Sequence, residues 1–182
     1  SREFWLEHKA LWQEQVRRPF ELLDADVRDE FGPLHHFRPN RDVRFSKDKS
    51  PYKTGIGADF PWNDSRGDEL RPRGAVGGYF HLEPGNIFVG GGMWHPERAR
   101  LAAFREKLDR DPSAVLRAIE DKRFASVFGS VTGESLTRNP KGFPKDHPYG
   151  HLLRLKDVVF SRRLSDKDVF STKLPDIIAK DL

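Results

Sequence analysis

An α+β domain, with a central antiparallel sheet and helices packed mainly on one face, is the fold class this sequence predicts. Three observations lead there. Residues 78–83 and 86–91 are two aromatic or β-branched runs separated by Pro84-Gly85, the expected centre of a type II turn, so they read as an antiparallel hairpin. Phe4, Trp5, Leu6, Leu11, Trp12, Val16 and Phe20 recur at spacings of three, four and seven among charged residues, the pattern of an amphipathic helix. Finally, 14 Phe, 4 Trp and 3 Tyr offset a low apolar fraction of 36% in a chain of 182 residues, supplying enough buried area for one core. No shift of composition divides the chain, so a single domain over 1–182 is expected.

The elements follow in order. Pro19 suits a first helical turn, which predicts a break near Arg17 and Arg18 and a second helix ending at Gly32-Pro33. Arg41 to Phe45 alternates charged and apolar residues as a short strand does, and Gly55 to Phe60 reads as another strand. Residues 61–72 carry turn chemistry and little to bury. On the first hairpin strand, period-two alternation puts Tyr79, His81 and Glu83 on one face and Phe80 and Leu82 on the other. Gly90-Gly91-Gly92 reads as a turn or a close backbone approach. Pro96 to Arg110 predicts a helix with Leu101, Phe104 and Leu108 on one stripe, and Asp111-Pro112-Ser113 opens another. Residues 124–129 are ambiguous between helix and strand. Leu152 to Leu155, Asp166 to Phe170 and Ile177 to Lys180 read as short helices, and Val158 to Ser161 as a strand.

The chain contains no cysteine, which excludes disulfides, thiolate catalysis and cysteine-ligated metal centres. It has no apolar run long enough to cross a membrane and no signal-peptide pattern at its start, so a cytoplasmic protein without membrane partners is expected. A net charge of +4 is too modest to announce a nucleic-acid partner, but its distribution is uneven. Arg38, Arg41, Arg44, Lys47, Lys49 and Lys53 face only Asp42 and Asp48 in one short segment, a surplus equal to the net charge of the whole chain.

Those cations, with the hydroxyls of Ser46, Ser50, Tyr52 and Thr54, have the composition of a phosphate or carboxylate site: point charges, guanidinium forks and neutral donors. A second basic block holds Arg138, Lys141, Lys145 and His147 on a loop with Pro140, Pro144 and Pro148. Folded together, the two blocks would form a cationic cleft edged by Tyr52, Phe143 and Trp94. The expected ligand set is therefore Arg41, Arg44, Lys47, Lys49, Tyr52, Lys53, Arg138, Lys141, Lys145 and His147. The plainer alternative is that Arg41-Asp42 and Lys47-Asp48-Lys49 pair among themselves and pin a strand entry. Asp146 could orient His147 for proton transfer, or cap a helix beginning near Pro148.

Other chemistries find less support. His81 and Glu83 share a strand face that His95 or Glu97 could join as metal ligands, but no HExxH-type pair exists, so neither metal nor cofactor is expected. Gly-x-Ser-x-Gly and the phosphate-binding GxxxxGK[ST] loop are absent. Trp62 and Trp94 lie in loops where they could stack nucleic-acid bases, though the chain resembles no known nucleic-acid module.

Three blocks are distinctive: residues 41–54 (RDVRFSKDKSPYKT), 78–85 (GYFHLEPG) and 139–148 (NPKGFPKDHP). In this order they resemble the signature blocks of the family catalogued as domain of unknown function 2461, over nearly the whole chain. The resemblance implies an α+β globule in a cytosolic setting and no established activity or catalytic residues. It also implies a further helix before residue 1 and an apolar helix after residue 182, so short native segments at both ends are expected to be missing. Function is expected to be the binding of a small phosphorylated or carboxylated ligand, with catalysis unassigned. Contact with an acidic protein partner and nucleic-acid binding through phosphates are the alternatives.

Overall fold

A computed structural model describes residues 2–44, 47–60 and 76–182. The turn-rich stretch 61–72 and Trp62 lie outside the described residues, as do Phe45 and Ser46. Five strands form one antiparallel sheet in chain order: β1 (His35–His36), β2 (Ile56–Phe60), β3 (Val76–Leu82), β4 (Phe88–Met93) and β5 (Val158–Arg163). The α+β class follows directly. The chain divides into two compact units, one gathering the described residues of 1–66, 78–89 and 163–182, the other those of 67–77 and 90–162.

The first unit begins with α1 (Arg2–Trp12), a π-helical turn (Gln13–Arg17) and α2 (Arg18–Phe31). The expected break at Arg17 and Arg18 does not occur. Pro19 lacks an N–H and its ring would press on the carbonyl four residues back, but a π turn widens the helix at that point. The Arg18 N–H reaches the Gln13 carbonyl, five residues back, and the helix runs on. Gly32 ends α2 with φ +83°. The carboxyl of Asp24 then accepts the N–H of Leu34 at 2.6 Å, tying the exit of the helix to its own third turn.

Phe20, Leu23, Val27 and Phe31 on one stripe of α2 bury against Ile56, Ala58, Phe60, Phe80, Ile87 and Val89 of the sheet. Ile178 of α8 (Leu174–Asp181) completes this core, and α7 (Asp166–Val169) is closed by a reciprocal capping box between Ser165 and Asp168. The hairpin is as expected, with the Asn86 N–H donating to the Glu83 carbonyl at 2.9 Å across Pro84-Gly85. Register pairs Gly57 with His81, Ala58 with Phe80 and Asp59 with Tyr79. Helices of this unit therefore cover one sheet face, and Gly57, Asp59, Tyr79, His81 and Glu83 lie on the opposite one.

The second unit is built on α3 (Arg98–Arg110), α4 (Ser113–Ile119), α5 (Lys122–Phe128) and α6 (Gly150–Leu153). Leu108, Leu152, Leu153 and Leu155 form its core, with Phe104, Val115, Leu116, Ile119 and Phe143 packed around them. Residues 124–129, ambiguous in sequence, belong to α5, whose first turn is capped by the Asp121 carboxyl accepting from the N–H groups of Arg123 and Phe124. Pro96 precedes α3 rather than lying in its first turn, because Glu97 is the capping residue.

Gly90-Gly91-Gly92 is strand rather than turn, and the close-approach reading holds. A Cβ on Gly90 would lie 2.1 Å from the Phe160 carbonyl oxygen, and one on Gly92, at φ +116°, 2.1 Å from that of Val158. Gly92→Ala is therefore expected to cost more than about 2 kcal/mol, from the combined backbone strain and clash, as measured by urea denaturation.

Candidate functional site

The basic segment is a closed loop, not a strand. Asn40 and Tyr52 form an isolated antiparallel bridge, the Arg41 N–H donates to the Pro51 carbonyl at 2.9 Å, and the Lys53 N–H donates to that of Pro39 at 2.9 Å. The strand expected from Arg41 fails because the cations beyond the bridge bind local acceptors instead of extending a ladder. Arg41 pairs with Asp48. The Arg44 guanidinium grips Asp42 with Nε at 3.0 Å and Nη2 at 2.7 Å, and Lys49 Nζ donates to the Val43 carbonyl at 2.8 Å.

The loop's two acids are thus spent on two of its arginines. The hydroxyl and N–H of Ser50, and then the Arg41 guanidinium, pull the Asp48 carboxyl down to about 2. Asp42 is likewise lowered by its hydrogen bonds from Arg44. Sequence reasoning foresaw pairing of this kind but assigned the partners by adjacency. Lys47 is exposed. Tyr52 packs against α1, its ring 5.8 Å from those of Phe4 and Trp5.

Lys53 differs from its neighbours. Its Nζ lies 5.3 Å from the centre of the Phe37 ring, and no carboxylate pairs with it among the described residues. Burial, and then the nearby Arg38 guanidinium, push its ammonium below the ordinary lysine value. Arg38 is exposed and has no ion pair among the described residues. Phe37 joins this corner to the polar face of the sheet, its ring centre 6.3 Å from that of Tyr79.

On that face a chain of hydrogen bonds runs along β3. Tyr79 Oη is 3.1 Å from His81 Nδ1, and His81 Nε2 is 3.4 Å from Glu83 Oε2. Thr54 donates its hydroxyl to the other Glu83 oxygen, and Asn86 Nδ2 donates at 3.3 Å. Thr54, Asn86 and His81, in that order, hold the Glu83 carboxyl below the usual range. Burial, with Asp59 and Glu83 nearby, pushes the Tyr79 phenol up. Position 57 must be glycine, since a Cβ there would stand 2.2 Å from the Tyr79 oxygen. The rings of Tyr79 and His81 also meet Phe88, at 5.7 and 4.8 Å. The common face of Tyr79, His81 and Glu83 was legible in their spacing; Thr54, 29 residues away, was not.

The second basic block lies in the second unit. Asn139 organises it, donating Nδ2 to the Pro144 carbonyl at 2.6 Å and accepting from Arg154 Nη1 at 3.2 Å. Arg138, Lys141 and Lys145 are exposed. His147 is engaged at both nitrogens: Nδ1 accepts the Tyr149 N–H at 3.1 Å, which leaves Nε2 to donate to Asp109 at 3.1 Å. Asp146 caps nothing, because α6 starts at Gly150 behind Tyr149, without a side-chain cap.

One acid of this unit escaped sequence reasoning. Asp157 is 1% exposed and accepts the N–H of His95 at 2.8 Å on Oδ1, with His95 Nδ1 at 3.7 Å from the same oxygen. His95 holds φ +47°, beside an exposed Trp94. A single acid between Lys156 and the apolar run Val158-Val159-Phe160 was its only sequence signal. Among the described residues no group of three or more His, Asp or Glu side chains is placed to hold a metal.

These features define an α+β protein with a polar, aromatic-walled sheet face in one unit and a buried acid in the other. The whole chain, residues 1–182, matches the model of a family described as conserved hypothetical protein (DUF2461), and it belongs to that family. No curated protein and no solved structure matches it. No helix among the described residues is long and apolar enough to cross a membrane.

Two outcomes follow from this geometry. Asp48 titrates at about 2 when folded against 3.8 ordinarily, so its contribution is complete above 3.8 and disappears as pH falls through about 2. The midpoint of thermal unfolding should fall across that window, and Asp48→Asn should flatten the fall. Asp157→Ala strips the buried acceptor from the His95 N–H and should cost about 1–3 kcal/mol in urea denaturation.

Proposed function

We propose that the first compact unit binds a small anionic ligand, phosphorylated or carboxylated, at Arg38 and Lys53 beside the polar face of its sheet. The single observation that carries this reading is a pair of cations that form no ion pair among the described residues, although Arg38 also lies within the field of Asp42. Arg41 and Arg44, by contrast, are neutralised within their own loop. Two like charges near one another, one partly desolvated over an aromatic ring, raise the free energy of the empty site, and an anion lowers it. Tyr79 and His81 then offer hydrogen bonds next to Phe37, which suits a ligand with an anionic head and a small polar body. An acidic protein or a nucleic acid would use the same charges without needing that face.

Calorimetric titration with inorganic phosphate and with citrate tests the reading. Saturable binding is expected, with Lys53→Gln or Arg38→Gln each weakening it about tenfold, ~1.4 kcal/mol. Arg44→Gln should change it less than about twofold, because that guanidinium already serves Asp42. Affinity should fall as pH rises through the lowered lysine value, below the ordinary 10.5, since the neutral amine no longer attracts an anion. Equal losses in all three variants, or binding only to oligonucleotides with a steep salt dependence, would overturn the assignment.

A further inference from the structure

Resting on the anion site proposed above, we propose that the Glu83–His81–Tyr79 chain makes that site catalytic, with Tyr79 as proton donor to the leaving oxygen in hydrolysis of a small phosphate monoester. The substrate class follows from charge. Arg38 and Lys53 supply two positive charges without carboxylate partners among the described residues, and a phosphate monoester is close to a dianion at neutral pH, its second pKa lying near ~6. A monocarboxylate would leave one of the two cations unmatched.

The direction of the chain follows from its acceptors. Glu83, ionised and held by Thr54 and Asn86, can only accept, so His81 Nε2 must carry hydrogen. With the ring neutral, Nδ1 accepts the Tyr79 hydroxyl at 3.1 Å. With hydrogen on both ring nitrogens, Nδ1–H donates to the Tyr79 oxygen, and the phenolic O–H is free to donate to a substrate instead of to the ring. Glu83 accepts from His81 Nε2–H and orients the ring, as a carboxylate does behind a catalytic histidine. A phenol is protonated near neutrality, and burial with the Asp59 and Glu83 charges opposes its ionisation further.

The step balances as follows. A water oxygen bonds to phosphorus and one water proton passes to solvent. The ester P–O bond breaks with its electron pair on the leaving oxygen, which takes the Tyr79 proton. His81 Nδ1–H restores the proton on Tyr79, and the neutral imidazole is reprotonated from solvent. Gly57 gives the phenol its place, since any Cβ there would occupy the volume of the hydroxyl. Phe37 and Phe88 flank the aromatic row, lowering the local polarity in which the proton moves.

A leaving-group comparison tests the role. Phenyl phosphate needs its departing oxygen protonated, whereas p-nitrophenyl phosphate departs as a stable anion. The wild-type chain is expected to hydrolyse both. Tyr79→Phe should slow phenyl phosphate by about 100-fold or more and p-nitrophenyl phosphate by less than about tenfold, with saturable binding of inorganic phosphate retained. His81→Gln should discriminate in the same sense, which keeps the test open if Tyr79→Phe fails to fold by circular dichroism. Phosphate binding without hydrolysis of either ester, or equal losses on both, would overturn the proton-donor role while leaving the anion site standing. Absence of phosphate binding would overturn the anion site itself.

Discussion

The pairing register between β2 and β3 is the constraint on which the rest of the first unit depends. Ile56, Ala58 and Phe60 alternate with Gly57 and Asp59, and they meet Leu82, Phe80 and Gly78 across the ladder. Because side chains alternate with period two, a slip of one residue would send Phe60 to the polar face and Asp59 into the core. Burial of Phe60 and Phe80, each worth roughly 1.5–3 kcal/mol, and the cost of desolvating an aspartate both oppose that slip. The same register sets Gly57 beside His81 and beneath the Tyr79 hydroxyl. Hydrophobic energy on one face thereby positions polar chemistry on the other.

Glycine does comparable work in the second unit, by subtraction. Gly90 and Gly92 let β4 come against the β5 backbone, and Gly133, at φ +155°, lies equally close to the Asp157 carbonyl oxygen. Asp157 thus sits at a place where three stretches of chain converge too tightly for side chains. Its carboxylate stabilises the positive-φ turn at His95 through one backbone hydrogen bond. That arrangement exchanges conformational strain for a charge-assisted bond, and it leaves the imidazole of His95 and the indole of Trp94 facing solvent.

Much of the fold was legible because its signals are local. Pro84-Gly85 between two β-rich runs specifies the hairpin, and the stripe from Phe20 to Phe31 specifies the buried side of α2. Misreadings arose where one local rule met a stronger neighbour. Pro19 promised a break, yet a π turn removed the clash. Arg41 to Arg44 alternated as a strand does, but Asp42 and Asp48 offered the guanidinium groups charge-assisted bonds within the loop. Charge counting marks residues 38–53 as cation-rich, but only geometry distinguishes Arg38 and Lys53 from Arg41 and Arg44, which pair with Asp48 and Asp42. Thr54 at Glu83 and His95 at Asp157 come from distant parts of the chain, and no spacing rule reaches them.

The π turn has a consequence for how the amino-terminal helix could vary in length. Such a turn is a regular helix with one residue added, and one residue rotates everything on its amino-terminal side by roughly 100° about the axis. Here that rotation aims Phe4 and Trp5 at Tyr52, while α2 keeps its own stripe on the core. Deleting a single residue from Gln13–Arg17 would restore an ordinary helix and swing those rings away from the basic loop, while Phe20 to Phe31 keep their stripe on the core and Trp12 and Val16 lose their place against it. The helix thus carries a reading frame of its own, in which a one-residue indel rotates Phe4 and Trp5 away from the loop, whereas a four-residue indel nearly restores their direction but displaces them by about 6 Å along the axis.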